Sequence, residues 1–418
     1  MSEDWRRDHL PEIVAMLARR PGHEHVRTLL AEVFHHGFRI GYEALDHEVR
    51  LPEVHGRVDA LFGALVFEFK RDLRQEIGDV LARLPDYLAD RERKTGRRFV
   101  GIASDGATFI AFERRSSGLF EIGRHEVDPA RPDELLLWLE PALANRDDLQ
   151  PDPLTVEREL GRKSLSFARA RGVLEELWTE LHEHPEVAIK RQLWDGLLRE
   201  AYGTPIGDDA LFLQHTYLTI VAKTIAARVL EQPADDAAKI LSGQPLDELG
   251  IRGAVESDFF DWILQAPAGA DLVRRIARQT ARFRLREVQI DVLKVLYESL
   301  IDPPQRHDLG EYYTPDWLAA KVVRRALRDP LKQRVLDPAC GSGTFLFHAI
   351  RAKLAAAREA RLSEAAAVNM CTEEVRGLDV HPVAVMVARV TWLLALGRAI
   401  EARKGELHVP VYLGDAMQ

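Results

Sequence analysis

Cysteine is almost missing from this 418-residue chain. Two thiols, Cys340 and Cys371, cannot build a disulfide framework, so a reducing cytoplasm is the expected setting. No uninterrupted apolar run approaches the ~20 residues of a membrane span, and no membrane attachment is expected. The opening MSEDWRRDHLPEIV alternates acidic and basic residues, which is not the pattern of a signal peptide. There is no excess of positive charge either. The formal net charge is −9, which argues against general nucleic-acid binding and leaves any DNA contact to local basic patches. Internal repeats and low-complexity tracts are absent. What remains is 46% hydrophobic residues, enough for several cores in a chain whose length suits roughly three domains of about 150 residues each.

The densest information lies between Gly310 and Asp415. Four segments follow one another there: GEYYTP (310–315), VLDPACGSGTFL (335–346), VRGLDVHPVAVMVAR (375–389) and VPVYLGDAM (409–417). Residues 334–337 read as a buried strand ending in an acid, 338–343 as a small-residue turn, and 344–361 as a helix. A strand, glycine turn and helix in succession present backbone N–H groups and a helix N-terminus to a ligand. Gly341 and Gly343 permit positive φ and close backbone approach. Val375 to Asp379 is a second strand ending in an acid, placed to bond ribose hydroxyls as in nucleotide-binding α/β folds. Its distance from Asp337 exceeds the usual interval of about 20 residues, so the intervening connection is long. Val411 to Asp415 is a third strand of the same kind.

This ordered set resembles the amino-terminal half of the catalytic domain of gamma-type N6-adenine DNA methyltransferases. The resemblance implies an S-adenosylmethionine site made by Tyr313, Thr314, Pro315, Asp337, Ala339, Gly341, Gly343, Thr344, Asp379 and Asp415. In it Thr314-Pro315 closes over the methionine end of the cofactor, Asp337 addresses its sulfonium and amino groups, and Asp415 lies near its adenine ring. Cys340 belongs to the turn and is not expected to act as a nucleophile. The family's Asn/Asp-Pro-Pro-Tyr/Phe motif, which grips the target adenine, is not found before Gln418. The chain is therefore expected to bind the cofactor weakly and not to methylate alone, as one portion of a larger or split system.

Residues 1–150 carry a second constellation. Gly22 to His35 reads as a helix and Tyr42 to Leu51 as extended chain. Residues 57–62 and 65–70 read as a hairpin about a Gly63-Ala64 turn. In that register Phe62 faces Leu65, Leu61 faces Val66 and Asp59 faces Glu68, while Lys70 shares the face of Glu68. Opposed carboxylates repel, and a Mg²⁺ ion would remove that repulsion and activate a water for attack on a phosphodiester. The spacing resembles the PD-(D/E)XK nucleases, which implies Asp59, Glu68 and Lys70 as catalytic residues and Glu24, Asp59 and Glu68 at the metal, with Glu32 in reserve for Glu24. Those relatives carry Gln-Leu-X-X-Tyr on the following helix. Here Arg83 stands in place of the glutamine, ahead of Leu84 and Tyr87. Residues 99–106 match the strand and turn that come next. A solvated strand face with a salt bridge is the plainer alternative.

Residues 151–300 are predominantly helical by periodicity. His215 sits on an apolar helix as a core residue, and Arg274, Arg278 and Arg282 recur on one helix face that suits either DNA phosphates or solvent. The expected fold class is α/β: a PD-(D/E)XK nuclease-like domain (1–150), a helical connector (151–300), and the cofactor-binding half of a Rossmann-like methyltransferase domain (301–418). The order resembles type IIG and type IIL-like restriction–modification enzymes, which act in phage defence. It implies Mg²⁺-dependent DNA cleavage, S-adenosylmethionine-dependent adenine methylation, double-stranded DNA as substrate, and a further part carrying the missing motif. Two alternatives stay open: an adenine methyltransferase with an inactive nuclease-like domain, and a non-catalytic subunit that binds cofactor and a partner protein.

Overall fold

The computed structural model describes residues 3–38, 40, 46–51, 56–62, 65–95, 98–143, 148–203, 208–230, 236–302, 306 and 313–417. The chain divides into two compact units, Met1–Arg146 with Lys163–Gly172, and Asp147–Arg162 with Val173–Gln418.

The first unit is built on a sheet of six strands: β1 (Asp46–Leu51), β2 (Gly56–Phe62), β3 (Leu65–Phe69), β4 (Val100–Ser104), β5 (Thr108–Arg115) and β6 (Gly118–Glu126). They lie side by side in chain order. Every neighbouring pair is antiparallel except β3 and β4. A parallel pair needs a long crossover, and the helix between these two strands supplies it. The helices are α1 (Glu3–Asp8), α2 (Leu10–Leu17), α3 (His23–Glu32), α4 (Leu73–Thr95) and α5 (Asp133–Leu143). Alternation along β3 sends its side chains to two cores. Leu65, Phe67 and Phe69 pack with Leu17, Val26, Leu30 and Leu139 of α2, α3 and α5, whereas Val66 packs with Val80, Leu84 and Leu88 of α4. Gly101 of β4 has no side chain because a Cβ there would meet Leu84 Cδ2 at 2.5 Å. The hairpin register is the one expected, with Leu61 opposite Val66 and Phe62 opposite Leu65. Gly63 and Ala64 lie outside the described residues, as do the side chains of β1 and β2.

The second unit is mainly helical: α6 (Pro153–Leu160), most of α7 (Leu165–Leu181), α8 (Pro185–Tyr202), α9 (Asp209–Val229), α10 (Ala237–Ser242), α11 (Gln244–Glu248), α12 (Pro267–Thr280), α13 (Val292–Leu300), α14 (Asp316–Ala326), α15 (Thr344–Glu359), α16 (Glu364–Glu374) and α17 (Pro382–Leu396). Short strands β7 (Ile251–Arg252) and β10 (Leu407–His408) pair in parallel. β8 (Val335–Asp337), β9 (Val375–Asp379) and β11 (Val411–Leu413) form a parallel sheet in the order β11-β9-β8. Apart from Lys163–Gly172, residues 151–300 share this unit with the sheet. α9 is buried along nearly its whole length, around an aromatic cluster of Trp178, Trp194, Phe212 and Trp262.

Two sequence expectations need correction here. Among the described residues β8 has one strand neighbour, β9, and Leu336 is 65% exposed where the sequence reads as buried. An apolar strand reads as interior whether its neighbour is on one side or both. Conversely, Pro382–Ala402 is by length and composition alone apolar enough to cross a membrane, although its charges break it into shorter runs. Its most apolar stretch is 83% buried, with α17 packed on α9 and α15, as in a core helix.

Candidate functional site

β8 ends at Asp337, the chain turns through residues 338–343, and α15 begins at Thr344. Gly341 and Gly343 take φ of 52° and 92°, as the sequence requires, and Gly343 is the N-cap of α15. The turn is tied to the end of β9. Cys340 N–H donates to Leu378 O at 2.9 Å and Gly341 N–H to Asp379 Oδ2 at 2.8 Å. The other oxygen of Asp379 accepts from His381 N–H at 2.9 Å. Asp379 thus shapes the pocket while each of its oxygens keeps a further lone pair for a ligand hydroxyl.

Asp337 is placed differently. Its Oδ1 accepts a 3.3 Å bond from Ala339 N–H, and its Oδ2 is buried with no hydrogen-bond partner. Burial first, and the neighbouring Asp379 carboxylate second, raise its pKa above the usual carboxylate value. A buried carboxylate oxygen without a donor is costly until a cation or N–H group reaches it. Tyr313 closes the other side: its Cε1 lies 3.7 Å from where a Cβ on Gly341 would be. Pro315 caps α14, and the Thr314 carbonyl accepts from Lys294 Nζ at 2.6 Å. Asp415 follows β11, whose end is held by a Gly414 N–H to Asp379 O bond of 2.9 Å. The structure therefore gathers Tyr313, Asp337, Ala339, Gly341, Gly343, Asp379 and Asp415 around the ends of three parallel strands. Gly310, Glu311 and Tyr312 lie outside the described residues.

Thr344 takes a part the sequence did not indicate. Its hydroxyl donates to Asp291 Oδ2 at 2.8 Å, beneath the turn. Asp291 and Lys294 escaped the sequence reading because an Asp before an amphipathic helix is an ordinary N-cap signal. Cys340 is buried, which pushes its thiol up and agrees with its exclusion as a nucleophile. A groove of about 390 Å³ runs along the outer side of β8. Its walls are mostly apolar, from Val322, Val323, Leu327 and Phe345, and of the expected cofactor residues it touches Asp337.

Below the site lie two buried histidines. His215 accepts from Trp194 Nε1 at 3.2 Å, and His381 Nδ1 accepts from Ala384 N–H at 3.0 Å, with the two rings 5.6 Å apart. Burial lowers both pKa values, that of His381 to about 3, so both are neutral. His215 is the core residue expected.

In the first unit Glu68 and Lys70 are both buried and joined at 2.9 Å. Lys70 N–H donates to Ser104 O at 2.9 Å, which carries the β3–β4 pairing past the end of β3. Asp105 then ties this end of the sheet together, accepting from Leu73, Ala107 and Thr108 N–H and from Arg20 Nε. By strand alternation Glu68 points to the α4 side of the sheet, the side of Val66. Glu24 is on α3, which packs on the Phe67 and Phe69 side. Its side chain is 60% exposed and pairs with Arg27 and His23. Glu32 closes α3, half-buried. Asp59 stands on β2 with its side chain outside the described residues. Among the described residues no three acidic, histidine or cysteine side chains form a metal-ligating group.

The arginine stripe is broken. Arg282 lies beyond α12, buried, with its guanidinium 3.1 Å from Glu159, and Arg274 pairs with Asp271. Arg278 is exposed.

No curated protein matches the chain. Among solved structures, the DrdV–DNA complex is 16% identical with a TM-score of 0.40, covering 97% of this chain and 40% of its own. The ATP-dependent Type ISP restriction-modification enzyme LlaBIII bound to DNA is 13% identical (TM-score 0.33), covering 59% of this chain and 17% of its own. A nuclease-deletion mutant of the Type ISP enzyme LlaGI, in complex with a DNA substrate mimic, is 13% identical (TM-score 0.36), covering 61% and 21%. This chain thus spans well under half the length of each. The N-6 DNA Methylase family matches residues 288–395, the span that holds α13, the Thr-Pro segment, the glycine turn and both pocket carboxylates, and so this chain carries an N6 DNA methyltransferase domain.

Proposed function

We propose that the second unit binds S-adenosylmethionine for N6-adenine methylation of DNA, within a restriction–modification enzyme of the type IIG or type IIL-like class. The observation that carries the cofactor reading is Asp337 Oδ2, buried without a donor beside a glycine turn and a second carboxylate. The residues suit this cofactor. Its ammonium and sulfonium supply the positive charge that Asp337 lacks, its ribose hydroxyls suit the free lone pairs of Asp379, and Asp415 suits its adenine. When bound, it supplies an electrophilic methyl group. The chain's part is to hold that group, with Tyr313 and Thr314-Pro315 over the methionine end and the N-terminus of α15 beneath. Calorimetric titration of the purified chain with S-adenosylmethionine tests this: binding that Asp337→Ala abolishes is expected, and no heat from the unaltered chain sinks the reading.

For the first unit we propose a PD-(D/E)XK-type nuclease using Asp59, Glu68 and Lys70 with Mg²⁺. Support comes from the hairpin register and from the Glu68–Lys70 pair on one face of β3. Glu68 and Asp59 would hold the metal, and Lys70 would orient the attacking water. The place of Glu24 in that set has less support, because its helix packs on the opposite face. Double-stranded DNA is the proposed substrate of both units, in the cytoplasm. The test is plasmid cleavage by the longest native form with Mg²⁺, with and without S-adenosylmethionine, beside Glu68→Ala. Methyl incorporation without any cleavage would instead favour an adenine methyltransferase with an inactive amino-terminal unit.

A further inference from the structure

α13 belongs to none of the four segments that mark the cofactor pocket, yet its first two turns reach both walls of it. At its N-cap, Asp291 is 2% exposed and collects hydroxyls from the glycine turn, the start of α15 and α17. Ser342 Oγ and Thr344 Oγ1 donate to Oδ2 at 2.7 and 2.8 Å, and Thr391 Oγ1 of α17 donates to Oδ1 at 3.2 Å. Its own helix adds Lys294 N–H at 3.0 Å to Oδ1. One carboxylate therefore fastens the glycine turn to α13 and α17. One turn on, Lys294 is 5% exposed and sends its ammonium to the Thr314 carbonyl at 2.6 Å, on the opposite wall. A further turn along, the Tyr297 ring packs 5.2 Å from that of Tyr313. Residues 291, 294 and 297 are spaced by three and so lie along one side of the helix.

We propose that Asp291 and Lys294 are positioning residues that make α13 the spacer of the pocket, Asp291 holding the glycine turn and Lys294 holding the Tyr313-Thr314 strap over the amino-acid end of the ligand. Neither touches the reacting atoms. A buried carboxylate that accepts four bonds is a rigid post, since moving any one donor leaves charge uncompensated. A buried ammonium bonded to a backbone carbonyl fixes chain rather than side chain, which is what a strap over a small ligand needs.

This inference rests on the S-adenosylmethionine reading, and its test separates the two. The purified chain is titrated with S-adenosylmethionine and with 5′-methylthioadenosine, which shares the nucleoside but lacks the amino-acid end. Unfolding temperatures are taken without ligand. Lys294→Met should weaken S-adenosylmethionine about tenfold, the value of one charge-assisted hydrogen bond, while the affinity for methylthioadenosine changes less than about twofold. Lys294→Gln, which keeps an N–H donor, should recover most of that loss. Asp291→Asn should weaken both ligands together, because the glycine turn serves the ribose as well. If folded Lys294→Met binds both ligands as the unaltered chain does, or loses both equally, the strap assignment is wrong. The same holds if the Gln variant binds no better than the Met variant. If the unaltered chain binds neither ligand, the cofactor reading fails and takes this inference with it.

Discussion

In the first unit the buried carboxylate of Glu68 meets the ammonium of Lys70 at 2.9 Å, whereas in the second the buried Oδ2 of Asp337 meets no donor and lies near a second carboxylate. The two arrangements store charge in different ways. A paired ion can sit in a folded protein with nothing bound, and a metal joining it has an existing attraction to rearrange. A buried carboxylate oxygen with no donor raises the energy of the free protein and is relieved when a cation, an N–H group or a proton reaches it. The second unit thus advertises a ligand through a deficit in the structure. In the first, the buried carboxylate already has a cation beside it, and the motif reads through position along the hairpin.

The comparison can be broken most directly at Glu68. Its replacement by Ala should remove Mg²⁺-dependent cleavage of plasmid DNA by roughly a hundredfold or more, as expected for loss of a metal-holding carboxylate, and should leave S-adenosylmethionine titrations unchanged. Cleavage that survives the substitution would make the Glu68–Lys70 pair purely structural.

Asp337→Asn tests the other side. Cofactor affinity should fall roughly 10- to 100-fold, the range for a hydrogen bond to a charged group. The free chain should become more stable at pH 8, because the folded pKa of Asp337 is raised above its unfolded value. The sign follows from linkage. The contribution of a raised carboxylate is complete below the unfolded pKa of 3.8 and is lost as pH climbs through the folded one, so the gain from Asn should vanish near pH 4. Melting curves at the two pH values distinguish a relieved charge from a generic change in packing.

Buried histidine sharpens the contrast further. The pKa values of His215 and His381 are both lowered by burial. The unfolded chain then binds protons that the folded chain refuses, so stability is full above about pH 6.5 and falls as the pH drops toward the folded values. Each such group costs about 1.4 kcal/mol per pH unit well below 6.5. The first unit has His125, only partly buried and also lowered. Thermal unfolding between pH 7.5 and 5 should show the second unit giving way first, and His381→Gln should flatten that slope. An unchanged slope would mean that other groups control acid lability.

The smallest expected effect is at the exposed edge of the second sheet. Leu336→Ser, on a side chain 65% exposed, should shift stability by no more than about 0.5 kcal/mol. Leu346, fully buried one turn into α15, should cost about 2–5 kcal/mol when cut to Ala. A large loss at Leu336 would show that this strand is covered in solution.

The local geometry of the candidate site was legible in the sequence. Strands that end in an acid, a turn with glycines at 341 and 343, and a hairpin whose register pairs Leu61 with Val66 are short-range matters. They follow from the two-residue period of a strand and from the few residues that tolerate positive φ. The exposure of Leu336 was not legible, because an apolar strand looks the same with one neighbour or two. The arginine stripe failed for a related reason: periodicity places Arg282 on a face, but only packing could bring Glu159 to bury it.

By itself, then, the sequence determined the local pieces: the hairpin carrying Asp59 and Glu68, the glycine turn, and the order of the strand-end carboxylates. Tertiary structure alone decided which charges are satisfied. Asp291 meets Ser342 across 51 residues and Thr391 across 100, Lys294 finds the Thr314 carbonyl, and Asp337 is left with an oxygen that has no donor. Hydrogen-bond satisfaction is a property of three-dimensional neighbours, and neighbours brought together from distant parts of a chain leave no mark in the spacing of its residues.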